Sequence, residues 1–70
     1  MKSDTDRDLV ATLAALAQST RVAILRLVSR AGANGIAAGD IARSTATPPS
    51  TLSFHLKEMT QAGLLKARNQ

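Results

Sequence analysis

The side chains best suited to chemistry lie close together in residues 50–57, which contain hydroxyls, an aromatic ring, an imidazole and an ammonium group. Hydroxyls donate and accept hydrogen bonds and an imidazole can do either, so these groups match the donors and acceptors on base edges. Lysine and arginine suit phosphates. The candidate contact residues are Ser50, Thr51, Ser53, Phe54, His55 and Lys57, together with Arg43 from the preceding segment. This set predicts recognition of nucleic acid.

The same side chains form neither a catalytic nor a metal-binding set. Ser53 and His55 point about 200° apart on a helix, so they cannot act as nucleophile and base. The five acidic residues are scattered, which leaves no convergent acid and base. Cysteine is absent, and Asp40 with His55 falls short of the roughly three or four ligands that a metal needs. We therefore expect no enzyme, no bound metal and no other cofactor.

The element that positions these groups is a helix predicted over residues 49–62. Two prolines stand at its start, where a missing N–H is tolerated, and Thr47 is a candidate N-cap. Apolar residues recur at the i, i+4, i+7 spacing of a buried stripe, at Leu52, Leu56 and Met59. The contact residues of this helix, His55 included, are then expected to face outward. Gly63 is expected to end the helix in a left-handed conformation.

A short helix is predicted immediately before it, over residues 38–45, because Ile41 and Ala42 give that segment a small apolar side. Ala46 and Thr47 would form the linking turn. Two helices joined by so short a turn pack at a steep angle, which is the helix-turn-helix arrangement whose second helix enters the major groove. The sequence thus predicts one domain over residues 1–70, with the helix-turn-helix over about residues 38–63.

Two further helices are predicted upstream. In the first, leucines recur at the i, i+4, i+7 spacing, at Leu9, Leu13 and Leu16. Ser19 is a candidate N-cap for the second, which would cover about residues 20–30 and carry Arg30 in its last turn. Residues that tolerate positive φ follow in the loop, at Gly32, Asn34 and Gly35. Ile36 is expected to end that loop by reaching the core.

Two stretches resemble the ArsR family of winged helix-turn-helix transcriptional regulators: LAALAQSTRVAILRLV (residues 13–28) and STLSFHLKEMTQAGLL (residues 50–65). The recognition helix of that family commonly carries a Ser-Thr-x-Ser-x-His-Leu pattern and an Ala-Gly-Leu exit. The matching residues are Ser50, Thr51, Ser53, His55 and Leu56, then Ala62, Gly63 and Leu64. The resemblance implies a mainly all-α winged helix-turn-helix domain of four helices. Its β-wing would be truncated or missing, because residues 64–68 supply only a first strand.

The resemblance also implies a homodimeric repressor that binds double-stranded DNA at an inverted repeat. Relatives pair through the first helix and a C-terminal helix, and we expect the latter to be absent from this chain. Arsenic- and cadmium-sensing relatives carry cysteines where Ala37 and Gly39 stand in this chain, so that ligand set is missing.

Composition agrees with a nucleic-acid partner. The 70-residue chain has a net charge of +4 and a pI of about 10.8, and positive charge favours polyanions. No apolar run approaches the ~20 residues of a membrane helix, and the N-terminus lacks the form of a signal peptide. We therefore expect a cytoplasmic protein that does not enter a membrane.

The alternative is a module of the same fold that binds a protein partner and no DNA. Phe54, the only aromatic residue, could anchor such a partner, contact a thymine methyl group or tuck back toward the core. Binding measured at two salt concentrations distinguishes a protein partner from DNA, because phosphate-dominated binding weakens steeply as salt rises.

Overall fold

The computed structural model describes residues 4–66, and their secondary structure is mainly helical. Helix α1 spans Asp4–Ala31, a 3-10 turn spans Gly32–Asn34, α2 spans Ala38–Thr45 and α3 spans Pro49–Gln61. The predicted helical class is confirmed, and so are the two helices expected over residues 38–45 and 49–62. The four-helix prediction is wrong for residues 4–66, which form three α-helices and no strand.

Helix α1 runs without a break through the point where the sequence pattern predicts two helices. Its residues include neither glycine nor proline and are rich in alanine and leucine, which have high helix propensity. The Thr20 hydroxyl donates a hydrogen bond to the Leu16 carbonyl oxygen (3.0 Å), so this polar side chain is satisfied within the helix. The prediction that Ser19 caps a second helix is therefore wrong, because nothing near it interrupts the backbone ladder.

The core lies where α2 and α3 meet the second half of α1. Its buried side chains are each at most 3% exposed and come from all three helices: Ile24, Ile41, Leu52 and Met59. Half-buried apolar residues surround them: Leu25, Leu27, Val28, Ile36, Ala42, Leu56 and Leu65. Full burial of one such large side chain is worth about 1.5–3 kcal/mol. A small cluster thus holds the two short helices in place.

The turns that enter and leave α2 are tight. Gly32 and Gly35 have positive φ as predicted, whereas Asn34 lies in the 3-10 turn without it. Ile36 packs against the core as expected. After α2, the linking turn contains Ala46 in the left-handed region, at φ 50° and ψ 41°.

Thr47 does not cap α3. Its hydroxyl donates to the Thr45 carbonyl oxygen (3.2 Å) and accepts from the Thr45 hydroxyl (2.8 Å), so it stays with the helix before it. The N-cap of α3 is Pro48, which offers no side-chain hydrogen bond. The predicted cap is therefore wrong, and the fixed φ of the two prolines sets the start of α3 instead.

Helix α3 ends in a glycine reversal. Gly63 has a φ of 80°, its N–H donates to the Thr60 carbonyl oxygen (3.0 Å), and the Leu64 N–H donates to the Met59 carbonyl oxygen (2.9 Å). These are the two hydrogen bonds of a Schellman motif, so the predicted stop is confirmed. Leu65 and Lys66 have no regular structure. The other residues of the predicted wing strand, 67 and 68, lie outside the described residues.

The first half of α1 projects beyond the core. Every residue from 5 to 16 is exposed, including the predicted leucine stripe: Leu9 (56%), Leu13 (56%) and Leu16 (62%). The described residues consequently extend over 48 × 22 × 19 Å.

The unbroken length of α1 also bears on whether this helix could cross a membrane. The stretch Thr5–Asn34, with a mean hydropathy of 1.3 in its most apolar window, is long and apolar enough to cross a bilayer. The prediction that no stretch approaches that length is therefore wrong, because the polar residues 18–20 are uncharged and do not divide the helix. One such helix is weak evidence, since core helices of soluble proteins and signal sequences meet the same criterion.

Candidate nucleic-acid interface

The outward face of α3 carries a row of exposed side chains spaced about one turn apart. They recur at i, i+4, i+7 and i+11: Ser50, Phe54, Lys57 and Gln61. At 100° of rotation per residue, this outward row lies on the side of the helix opposite the buried Leu52 and Met59. The core therefore fixes which side chains α3 presents to a partner.

The start of α3 adds groups that suit an anion. Thr51 and Ser53 are exposed beside the outward row. The first backbone bond of the helix runs from the Leu52 N–H to the Pro48 carbonyl oxygen (2.9 Å), so the N–H groups of Ser50 and Thr51 precede the ladder. With no side-chain cap, they add to the positive end of the helix dipole, which favours a phosphate.

Arg43 and Lys57 are the predicted phosphate contacts, and both are exposed. The Arg43 side chain is 74% exposed and forms an ion pair with Asp40, one turn earlier on α2. An exposed pair of this kind contributes about 0–1 kcal/mol. Because the pair is weak and lies in solvent, the guanidinium can exchange Asp40 for a phosphate oxygen at small cost.

His55 does not face outward, which corrects the sequence prediction. The side chain is 7% exposed, and its Nδ1 is buried without a hydrogen-bond partner among the described residues. The inward face of α3 is centred on Leu52, His55 and Met59, and Leu56 is only half-buried at its edge. The sequence pattern placed the imidazole outside because it assigned Leu52, Leu56 and Met59 to the buried stripe. The predicted base contact from His55 lacks the outward orientation that it needs.

Phe54 lies on the surface and not in the core. The side chain is 56% exposed, which removes the possibility that it tucks inward. Its ring centroid lies 6.1 Å from that of His55, with an interplanar angle of 59°. This tilted contact is within the usual range for paired rings, so the buried imidazole lies against the exposed phenyl group.

Three features of this surface were not predicted from the sequence. Gln61 belongs to the outward row, and the i+4 and i+7 spacing from Lys57 and Phe54 would have identified it. Asp40 pairs with Arg43, and the i, i+3 spacing on α2 was the available signal. Glu58, also exposed, places a negative charge beside the row.

Within residues 4–66, no group of three or more potential metal ligands comes together.

Comparison with known protein families gives a match. Residues 16–68 match the model of a helix-turn-helix domain family. No curated protein and no solved structure matches the chain. The matched region begins within α1, so it includes the part of α1 that forms the core and excludes most of the projecting half.

Proposed function

Because the chain belongs to the helix-turn-helix domain family, we propose that it is a DNA-binding transcriptional regulator that places α3 in the major groove. The observation that carries the proposal is the outward row on α3, which is exposed, largely polar and held opposite the core. The second helix of such a pair is the one that reads base edges in related architectures.

We assign separate roles to the exposed groups. The hydroxyls of Ser50, Thr51 and Ser53 would contact base edges near the start of α3. Lys57 and Arg43 would bind phosphates on either side and fix the register of the helix in the groove. The N–H groups at the start of α3 would add a further phosphate contact.

We further propose that the protein is a homodimeric repressor of the ArsR type that reads an inverted repeat. The exposed leucine stripe of α1 supports pairing, because each of its three leucines leaves more than half of its surface in water. A second copy would remove this apolar surface from solvent. Two copies of α3 would then meet successive major grooves about one helical turn of DNA apart.

A cytoplasmic location is part of this proposal. The second half of α1 packs its fully buried Ile24 against the other helices, so insertion of α1 into a bilayer would dismantle the core. It would also carry Arg21 toward the hydrocarbon, which costs at least about 2.5–3.5 kcal/mol.

The test is selection of duplexes from a random DNA pool by the full chain at two salt concentrations. We expect enrichment of an inverted repeat and an affinity that falls as salt rises. Enrichment of a single half-site would refute the dimer alone. Recovery of no duplex, with binding of a protein partner that is insensitive to salt, would support the protein-interaction alternative.

The role of Lys57 is tested by measuring how tightly Lys57→Ala binds the selected duplex at the two salt concentrations. Losing one phosphate contact should weaken binding to all duplexes and reduce the salt slope by about one unit. Arg7→Ala is the control, because it removes the same charge from the projecting half of α1, where the side chain is exposed and distant from α3 along the chain. Equal slopes for the two variants would mean that Lys57 acts only through net charge.

A further inference from the structure

Phe54 is the one large apolar side chain in the outward row. It is 56% exposed and is not among the residues that form or line the core. An exposed phenyl ring gains little for folding at this position, because its surface stays in water. Its apolar surface is therefore available to a partner of α3.

Its place on the helix puts it among the groups that would contact DNA. Ser50 lies one turn before Phe54 and Lys57 lies one turn after it, at the i−4 and i+3 positions that neighbour it on a helix surface. If Ser50 contacts a base edge and Lys57 a phosphate, the ring between them faces the groove. The ring also lies beside the buried imidazole of His55, with 6.1 Å between the two centroids.

An apolar contact from Phe54 would add sequence choice that the neighbouring hydroxyls do not supply. Guanine is best read by arginine or lysine and adenine by asparagine or glutamine, whereas hydroxyls serve several bases. In the first turn and a half of α3 the exposed residues are hydroxyl-bearing, apart from Pro49 and Phe54. The apolar feature that a base pair presents in the major groove is the C5-methyl group of thymine.

We propose that Phe54 is a specificity-determining residue that packs against the C5-methyl group of a thymine in the operator half-site. The inference rests on the proposed function, because it needs α3 in the major groove. It predicts that the protein distinguishes thymine from uracil, which presents the same hydrogen-bonding groups without the methyl.

The test uses the duplex selected above, with each thymine of a half-site replaced by uracil in turn, and the full chain. At one position the replacement should weaken wild-type binding about fourfold, the effect of leaving one methyl group unburied. Phe54→Ala should bind the thymine and uracil duplexes equally, and Phe54→Leu should keep part of the preference. Val22→Ala is the control, because Val22 is also exposed (41%) but lies on α1, and it should keep the full fourfold effect.

The outcomes separate the two proposals. If no duplex is bound, the proposed function fails and this inference with it. If a duplex is bound but no uracil replacement weakens wild-type binding, or if the selected half-site has no thymine, only the assignment of Phe54 is overturned. It is also overturned if the uracil effect persists in Phe54→Ala. The uracil series on the wild-type chain can overturn the assignment even if a Phe54 variant folds poorly.

Discussion

Replacing His55 by leucine should stabilise this protein. The imidazole is 7% exposed and buries an Nδ1 atom that has no partner among the described residues. A buried polar atom left unpaired costs about 1–3 kcal/mol, and leucine of similar volume would remove that cost. A 70-residue domain has a free energy of unfolding of about 3.5–10 kcal/mol, so even the lower figure is a substantial fraction. A gain of about 1 kcal/mol corresponds to a rise in Tm of about 4–8 °C.

The assay pairs thermal unfolding with DNA selection. His55→Leu should melt higher than the wild-type chain and enrich the same sequences, because the buried ring does not touch the bases. Ser53→Ala is the control, since this exposed residue should change stability by no more than about 0.5 kcal/mol. A lower Tm would refute the cost assigned to the unpaired Nδ1, and a changed base preference with an unchanged Tm would refute the assignment of His55 to the inner face. The second result would instead support the base contact that the sequence predicted.

Two further predictions concern stability. Leu52→Ala should lower the free energy of unfolding by about 2–5 kcal/mol, because the side chain is 2% exposed and its loss leaves a cavity. Leu56→Ala should lower the free energy of unfolding by less, because Leu56 is only half-buried. Equal losses of stability in chemical denaturation would mean that the inner face of α3 is misassigned. Ala46→Gly should raise the free energy of unfolding by roughly 0.5–1 kcal/mol, since relief of the left-handed conformation exceeds the entropy that glycine adds to the unfolded chain. A loss of stability on urea titration would contradict the strain inferred at this turn.

The bounds of α3 could be predicted because local signals mark them. The prolines at 48 and 49 set where α3 begins, and Gly63 sets where it ends. The break in α1 was predicted from Ser19, a residue that favours caps but also tolerates a helix interior. Whether Ser19 caps a helix or lies inside one depends on whether the neighbouring residues interrupt the helix, and none of the residues of α1 is glycine or proline.

Only part of the candidate interface could be predicted, because spacing alone does not fix every residue that α3 buries. Helical spacing identifies one side of α3 as apolar, but Leu52 and Met59 are compatible with a buried face that includes either His55 or Leu56. The sequence favoured Leu56 because it is apolar, whereas the packing buries His55 more deeply. The outward position of Phe54, in contrast, follows from the spacing, because it lies on the side of α3 opposite Leu52 and Met59.

The boundary between packed and projecting parts of the protein falls inside α1 and not at a loop. Amide hydrogens near Ile24 belong to the packed unit and should exchange with solvent only when the whole domain unfolds. Amides of residues 5–16, where every side chain is exposed, should exchange through local fraying that leaves the core intact. One helix would thus show two levels of protection, and association with a second copy would slow exchange in its first half alone.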